Sequence, residues 1–93
     1  MATLETKIVI PKDVLFREIA GEAVILNLQT GKYFGLDEVG TRMWQLLAQH
    51  NEIAPALNDL VAEYETTKDE LQRDLLALVD NLASQQLIQI NGT

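Results

Sequence analysis

The sequence predicts a single α+β domain of winged helix-turn-helix-like order, a three-stranded antiparallel sheet followed by three helices. Three observations predict it. A tight hairpin between Ala23 and Leu36 runs directly into a capped helix, three amphipathic helical patterns follow one another from Glu38 to Gln85, and 93 residues leave room for only one core.

The elements are justified in chain order. In residues 1–13 the β-prone run Ile8-Val9-Ile10 is stopped by Pro11, which reads as a loosely attached N-terminal arm, with an extra strand as the alternative. The domain proper is expected over 14–90. Val14 to Ile19 is the first strand, Ala20-Gly21 turns the chain, and Ala23 to Leu28 is the second. Because that second strand is apolar on both faces, it suits the centre of the sheet, with one face on the core and the other partly covered. Thr30-Gly31 makes the next turn, and Lys32 to Leu36 returns.

Asp37 stands at the N-cap of a first helix over Glu38 to Gln49, with Val39, Met43, Leu46 and Leu47 on one face. A second helix over Ile53 to Glu63 buries Ile53, Leu57, Leu60, Val61 and Tyr64, and Pro55 lies in its first turn, where a missing N–H is harmless. The third opens with Thr67-Lys68-Asp69-Glu70, a capping box worth on the order of 1 kcal/mol. At about 100° per residue, Leu71, Leu75, Leu78 and Leu82 fall in one narrow arc facing the core. Gln72, Leu76, Val79 and Ala83 widen the apolar stripe on one side, and Asp69, Arg73 and Asp80 rim it. A groove wall of Leu76, Val79 and Ala83 is one use of that surplus; complete cover by the second helix is the other.

Lys32 to Leu36 ends the meander, so one side of that strand is expected to carry unpaired N–H and C=O groups. Beside an apolar helix face, such an edge offers backbone hydrogen bonds for affinity and side-chain pockets for register. Tyr33 and Phe34 point to opposite faces, one filling the core and the other reaching the groove; alternation does not say which.

Composition narrows the function. The formal charge is −7, from 14 acids and 7 bases, and Lys7, Lys12, Arg17, Lys32, Arg42, Lys68 and Arg73 are dispersed. Nucleic-acid binding depends on concentrated positive charge, so it is not expected. The absence of Cys removes disulfides and thiolate sites. With no signal-peptide pattern and no apolar run near the ~18 residues of a membrane span, a cytoplasmic protein without membrane contact is expected. His50 has no second His or Cys near it, no nucleophile turn or phosphate loop is present, and no catalytic residue, metal or cofactor is assigned. Trp44 reads as core.

The run Asn27-Leu28 through Gly31-Lys32-Tyr33-Phe34-Gly35-Leu36-Asp37, continuing to Gly40 and Met43-Trp44, resembles the PqqD-like family. A second match comprises Leu57 to Tyr64, Asp74 and Leu75 to Leu87, with Gln86-Leu87-Ile88 standing where the family has a Gly-Leu-Leu-like exit. These are RiPP recognition elements, which hold the leader of a ribosomally made precursor peptide while a partner enzyme modifies its core. The resemblance implies a non-catalytic peptide chaperone. Its leader would lie antiparallel to the third strand, in a groove against the third helix, contacting residues drawn from Lys32, Tyr33, Phe34, Gly35, Asp69, Gln72, Arg73, Leu76, Val79, Asp80 and Ala83. Implied partners are the precursor leader and a modifying enzyme, such as a radical-SAM protein, a peptidase or a cyclase, with the protein itself a monomer or weak homodimer. The alternatives are a winged-helix transcription regulator, disfavoured by the acidic third helix, and a structural module that pairs with itself through the same strand edge.

Overall fold

A computed structural model describes residues 2–91. Its elements in order are β1 (Lys7–Val9), β2 (Val14–Ile19), β3 (Glu22–Asn27), β4 (Tyr33–Leu36), α1 (Glu38–His50), α2 (Ile53–Glu63), α3 (Lys68–Ser84) and β5 (Gln89–Asn91). Strands β2, β3 and β4 form an antiparallel sheet in that order, and β1 pairs antiparallel with β5 in a second, two-stranded sheet.

The predicted meander is present. Ala20 and Gly21, at φ of 55° and 86°, make the two-residue connection whose left-handed backbone matches the twist of the flanking strands. The second turn is organised by Asn27, whose side-chain oxygen accepts from the N–H groups of Gln29 and Thr30 at 2.8 and 3.2 Å. Ala23 and Ile25 point inward and are buried, as is Leu36 opposite Ala23. The outer face of β3, expected to be partly covered, is half-buried at Leu26 and open at Val24, while α1 packs on the other side.

The first helix begins as expected, with the Asp37 carboxylate accepting from the Gly40 N–H at 2.8 Å. Met43, Trp44, Leu46 and Leu47 are buried, and Trp44 stacks on Phe16 with ring centroids 6.1 Å apart. Val39, placed on the core face by its spacing, is exposed. Val61 is also exposed: Leu57 and Leu60 already fill the face of α2 that meets its neighbours. At the start of α3, Thr67 accepts from the Glu70 N–H at 3.2 Å, but the reciprocal half of the capping box is absent, since the Glu70 carboxylate bonds the Thr66 hydroxyl.

The N-terminal segment corrects the expectation of a loosely attached arm. Ile8 is 2% exposed and pairs with Ile90, while Ala2 is buried with its N–H donating to Asp80 at 2.8 Å. An apolar residue at the centre of a short strand becomes core when the other chain terminus returns to pair with it.

Candidate functional site

The edge strand β4 supplies an open row of backbone groups. The Asn27 N–H donates to the Lys32 carbonyl at 2.9 Å, which makes Asn27 and Lys32 a hydrogen-bonded pair. Such pairs alternate along an antiparallel ladder, so Ile25–Phe34 and Ala23–Leu36 are bonded as well. The N–H and C=O groups of Tyr33 and Gly35 therefore point away from β3, toward the free edge. The open question about the aromatic pair is answered by the same register: Phe34, opposite the fully buried Ile25, packs against the core, and Tyr33 is 72% exposed on the outer face. Lys32 lies just before the strand, exposed, with its N–H held by the Thr30 hydroxyl at 3.1 Å.

Where β4 passes into α1, an apolar cleft opens between α1 and α3. It is lined by Val39, Gly40 and Met43 on one side, Leu78 on the other, and the carboxylates of Asp37 and Asp74. The expected core arc of α3 holds at Leu71, Leu75 and Leu82 and shifts at one position. The buried stripe is Leu71, Leu75, Val79 and Leu82, so Val79 is core at 0% exposure and not a groove wall, while Leu78 is only half-buried and reaches the cleft. One residue of helical phase separates the two readings, and only the packing partners decide it.

The opposite flank of α3 serves other contacts. Asp80 accepts from Ala2, and Ala83 lines a recess with Pro11, Asp13 and Ile88 between the two sheets. Leu76 lies one turn before Asp80, half-buried and packed on the core, and Gln72 precedes it by a further turn. Asp69 and Arg73 are exposed, the Arg73 guanidinium lying 3.8 Å from Asp74. The structure thus brings Asp37, where β4 passes into α1, together with Asp74 and Leu78, while Tyr33 faces away from the helices. It sets Asp80 against Ala2 and Ala83 in a recess shared by Pro11 and the Asn27–Thr30 turn. Asp74 and Leu78 stand four residues apart on one helix face, a spacing visible in the sequence, yet nothing local marks that face as the one beside β4.

Elsewhere, His50 pairs with Asp59 at 2.8 Å. Among the described residues no group of three or more His, Asp or Glu side chains is arranged to hold a metal ion, and no helix is long and apolar enough to cross a membrane.

Fold and site together define a small winged-helix-like α+β domain with an open sheet edge beside a helix cleft. The chain belongs to the PqqD family: the model for coenzyme PQQ synthesis protein D (PqqD) matches residues 22–88. It is similar to the solved structure "TbiB1 in Complex with the TbiA(beta) Leader Peptide", with 35% identity and a TM-score of 0.82 over 91% of this chain and 99% of that one. A second structure, "Lasso peptide synthetase B1 complexed with the leader peptide", is 22% identical with a TM-score of 0.77 over 88% and 96% of the two chains, and shows the fold alone. No curated protein matches the chain.

Proposed function

We propose that this protein is a non-catalytic carrier in the cytoplasm that binds the leader segment of a ribosomally made precursor peptide and delivers the rest of that peptide to a modifying enzyme. The observation that carries the reading is the free edge at Tyr33 and Gly35 running into the cleft of Val39, Met43 and Leu78. An extended peptide added antiparallel to β4 gains hydrogen bonds from those four backbone groups, and an apolar side chain at the matching register enters the cleft. Holding the leader raises the local concentration of the remaining peptide at the enzyme. A radical-SAM enzyme, a peptidase or a cyclase would then supply the chemistry. The relative of 35% identity, whose structure is a complex with a leader peptide, supports this mode. A Kd near 1 μM, about −8 kcal/mol, would suit repeated loading and release.

Hydrogen exchange resolved to single amides, with and without an excess of leader peptide, tests the mechanism. The expected result is strong new protection at Tyr33 and Gly35, with little change at Ala77 and Asn81 on the exposed side of α3. Protection confined to α1 would place the peptide elsewhere and reject strand addition.

A further inference from the structure

Four of the eight exposed large hydrophobic side chains among the described residues project from one surface: Leu15, Ile19, Val24 and Tyr33 all lie on the sheet face turned away from the helices. Strand alternation groups them there, because Ala23, Ile25 and Leu36 take the inward positions. Ile19 is 79% exposed, the highest of the set. The β2–β3 part of this face carries two charges, Arg17 and Glu22, and Asp37 at the end of β4 lines the same cleft. Arg17 pairs across the strands with Val24, and Ile19 pairs with Glu22, so the four residues form a rectangle with the two charges at opposite corners. Neither charge makes an ion pair among the described residues.

We infer that this face binds a second copy of the chain, sheet against sheet, about a two-fold axis lying along the Ile19–Val24 diagonal. That axis sets Arg17 of each copy opposite Glu22 of the other and brings Ile19 onto Ile19 and Val24 onto Val24. A self-complementary patch of this kind is what a two-fold interface requires. Gly35, next to Val24, puts no side chain on the face, and the resulting cleft, lined by Ile19, Val24 and Gly35 together with Arg17, Glu22 and Asp37, accepts the facing side chains at the ~10 Å spacing of stacked sheets. Charge is arranged to permit the contact. Nine of the 14 acids, but only three of the 7 bases, lie from Glu38 onward, so the net negative charge sits in the helical layer and faces outward on both sides of the dimer. Strands of six, six and four residues offer less than the ~800 Å² per partner of a stable complex. The dimer is therefore weak, with a Kd on the order of 100 μM. It uses the face of the sheet and leaves the β4 edge free, so it stands independently of the leader-binding proposal.

Sedimentation equilibrium of the full chain, from about 10 μM to about 1 mM in low salt, tests it across the expected Kd. The wild type is expected to show a reversible monomer–dimer equilibrium. Ile19→Asp, at a solvent-exposed position, should stay folded by circular dichroism and remain monomeric throughout. Arg17→Glu and Glu22→Arg should each weaken the dimer about fivefold or more, and the double exchange should restore it to within about twofold of wild type. A wild type that is monomeric at every concentration would overturn the inference and leave the face to a different protein. A dimer indifferent to Ile19→Asp, or single charge variants not rescued by the double exchange, would overturn it equally.

Discussion

The side-chain amide of Asn27 donates to the main-chain carbonyl of Gln86 at 2.6 Å, joining the end of β3 to the exit of α3 across 59 positions of sequence. The same side chain closes the β3–β4 turn through Gln29 and Thr30, and Asn27 is 6% exposed. One buried residue thereby fixes both where the edge strand begins and how the last helix lies against the sheet. Asn27→Ala should cost about 2–3 kcal/mol, because two amide donors and a carbonyl lose their partners together. Urea denaturation checks this, and a loss under ~1 kcal/mol would mean that water replaces the side chain.

The helix exit itself is strained. Gln86 adopts φ of 62°, and the bonds from the Leu87 N–H to Leu82 and from the Gln86 N–H to Ala83 close a Schellman-type end without glycine. Gln86→Gly removes the cost of holding a side chain in the left-handed region and should stabilise the protein by up to about 1 kcal/mol, raising the melting temperature by roughly 4–8 °C. Calorimetry reads it directly.

The two flanks of α3 should respond differently to the same substitution. Leu78→Arg, in the cleft, is expected to weaken leader binding by ~1.5 kcal/mol or more, at least tenfold, while Leu76→Arg should act on stability and leave the affinity of the folded fraction unchanged. Titration calorimetry on both variants decides between the flanks. Gly35→Pro gives a backbone counterpart: it removes one outward N–H, Gly35 bonds nothing on β3, and a Cβ there meets no atom within 4 Å. Binding should fall with little change in stability, whereas proline at Phe34 would break the ladder with Ile25.

On the far side of the molecule, Arg42 reaches from α1 to α2 and bonds Glu63 through Nε and NH2, each at 2.7 Å. The hydrogen bonds from Arg42 hold the Glu63 carboxyl below its ordinary pKa of 4.5. A lowered folded-state value means that the pair contributes stability above the unfolded pKa and loses it as pH falls through the folded one. Stability should therefore decline below about pH 4.5. A carboxyl NMR titration should place Glu63 below 4.5 in the wild type and return it to the ordinary value in Arg42→Met.

Local chemistry made most of the fold legible from residues alone. Ala20-Gly21 sets the first turn, Asp37 and Thr67 cap their helices, and Val14–Ile19 and Ile53–Glu63 begin and end where their patterns do, whereas the second connection is longer than a Thr30-Gly31 turn, running from Leu28 to Lys32 with Gly31 left-handed. Each of these depends on neighbours within a few residues, which the sequence displays. The edge position of β4 was legible too, since strands joined by short turns pair in order. Three matters rested on partners distant in sequence. Ile8 becomes core only because Ile90 returns to meet it; Phe34 turns inward because its register opposes Ile25; and Val79 displaces Leu78 from the centre of the buried stripe because of what packs on α3. Helical periodicity fixes the width of an apolar face but not its direction, so the sequence alone determined that α3 has a surplus face, and the tertiary structure decided that the cleft beside β4 belongs to Asp74 and Leu78.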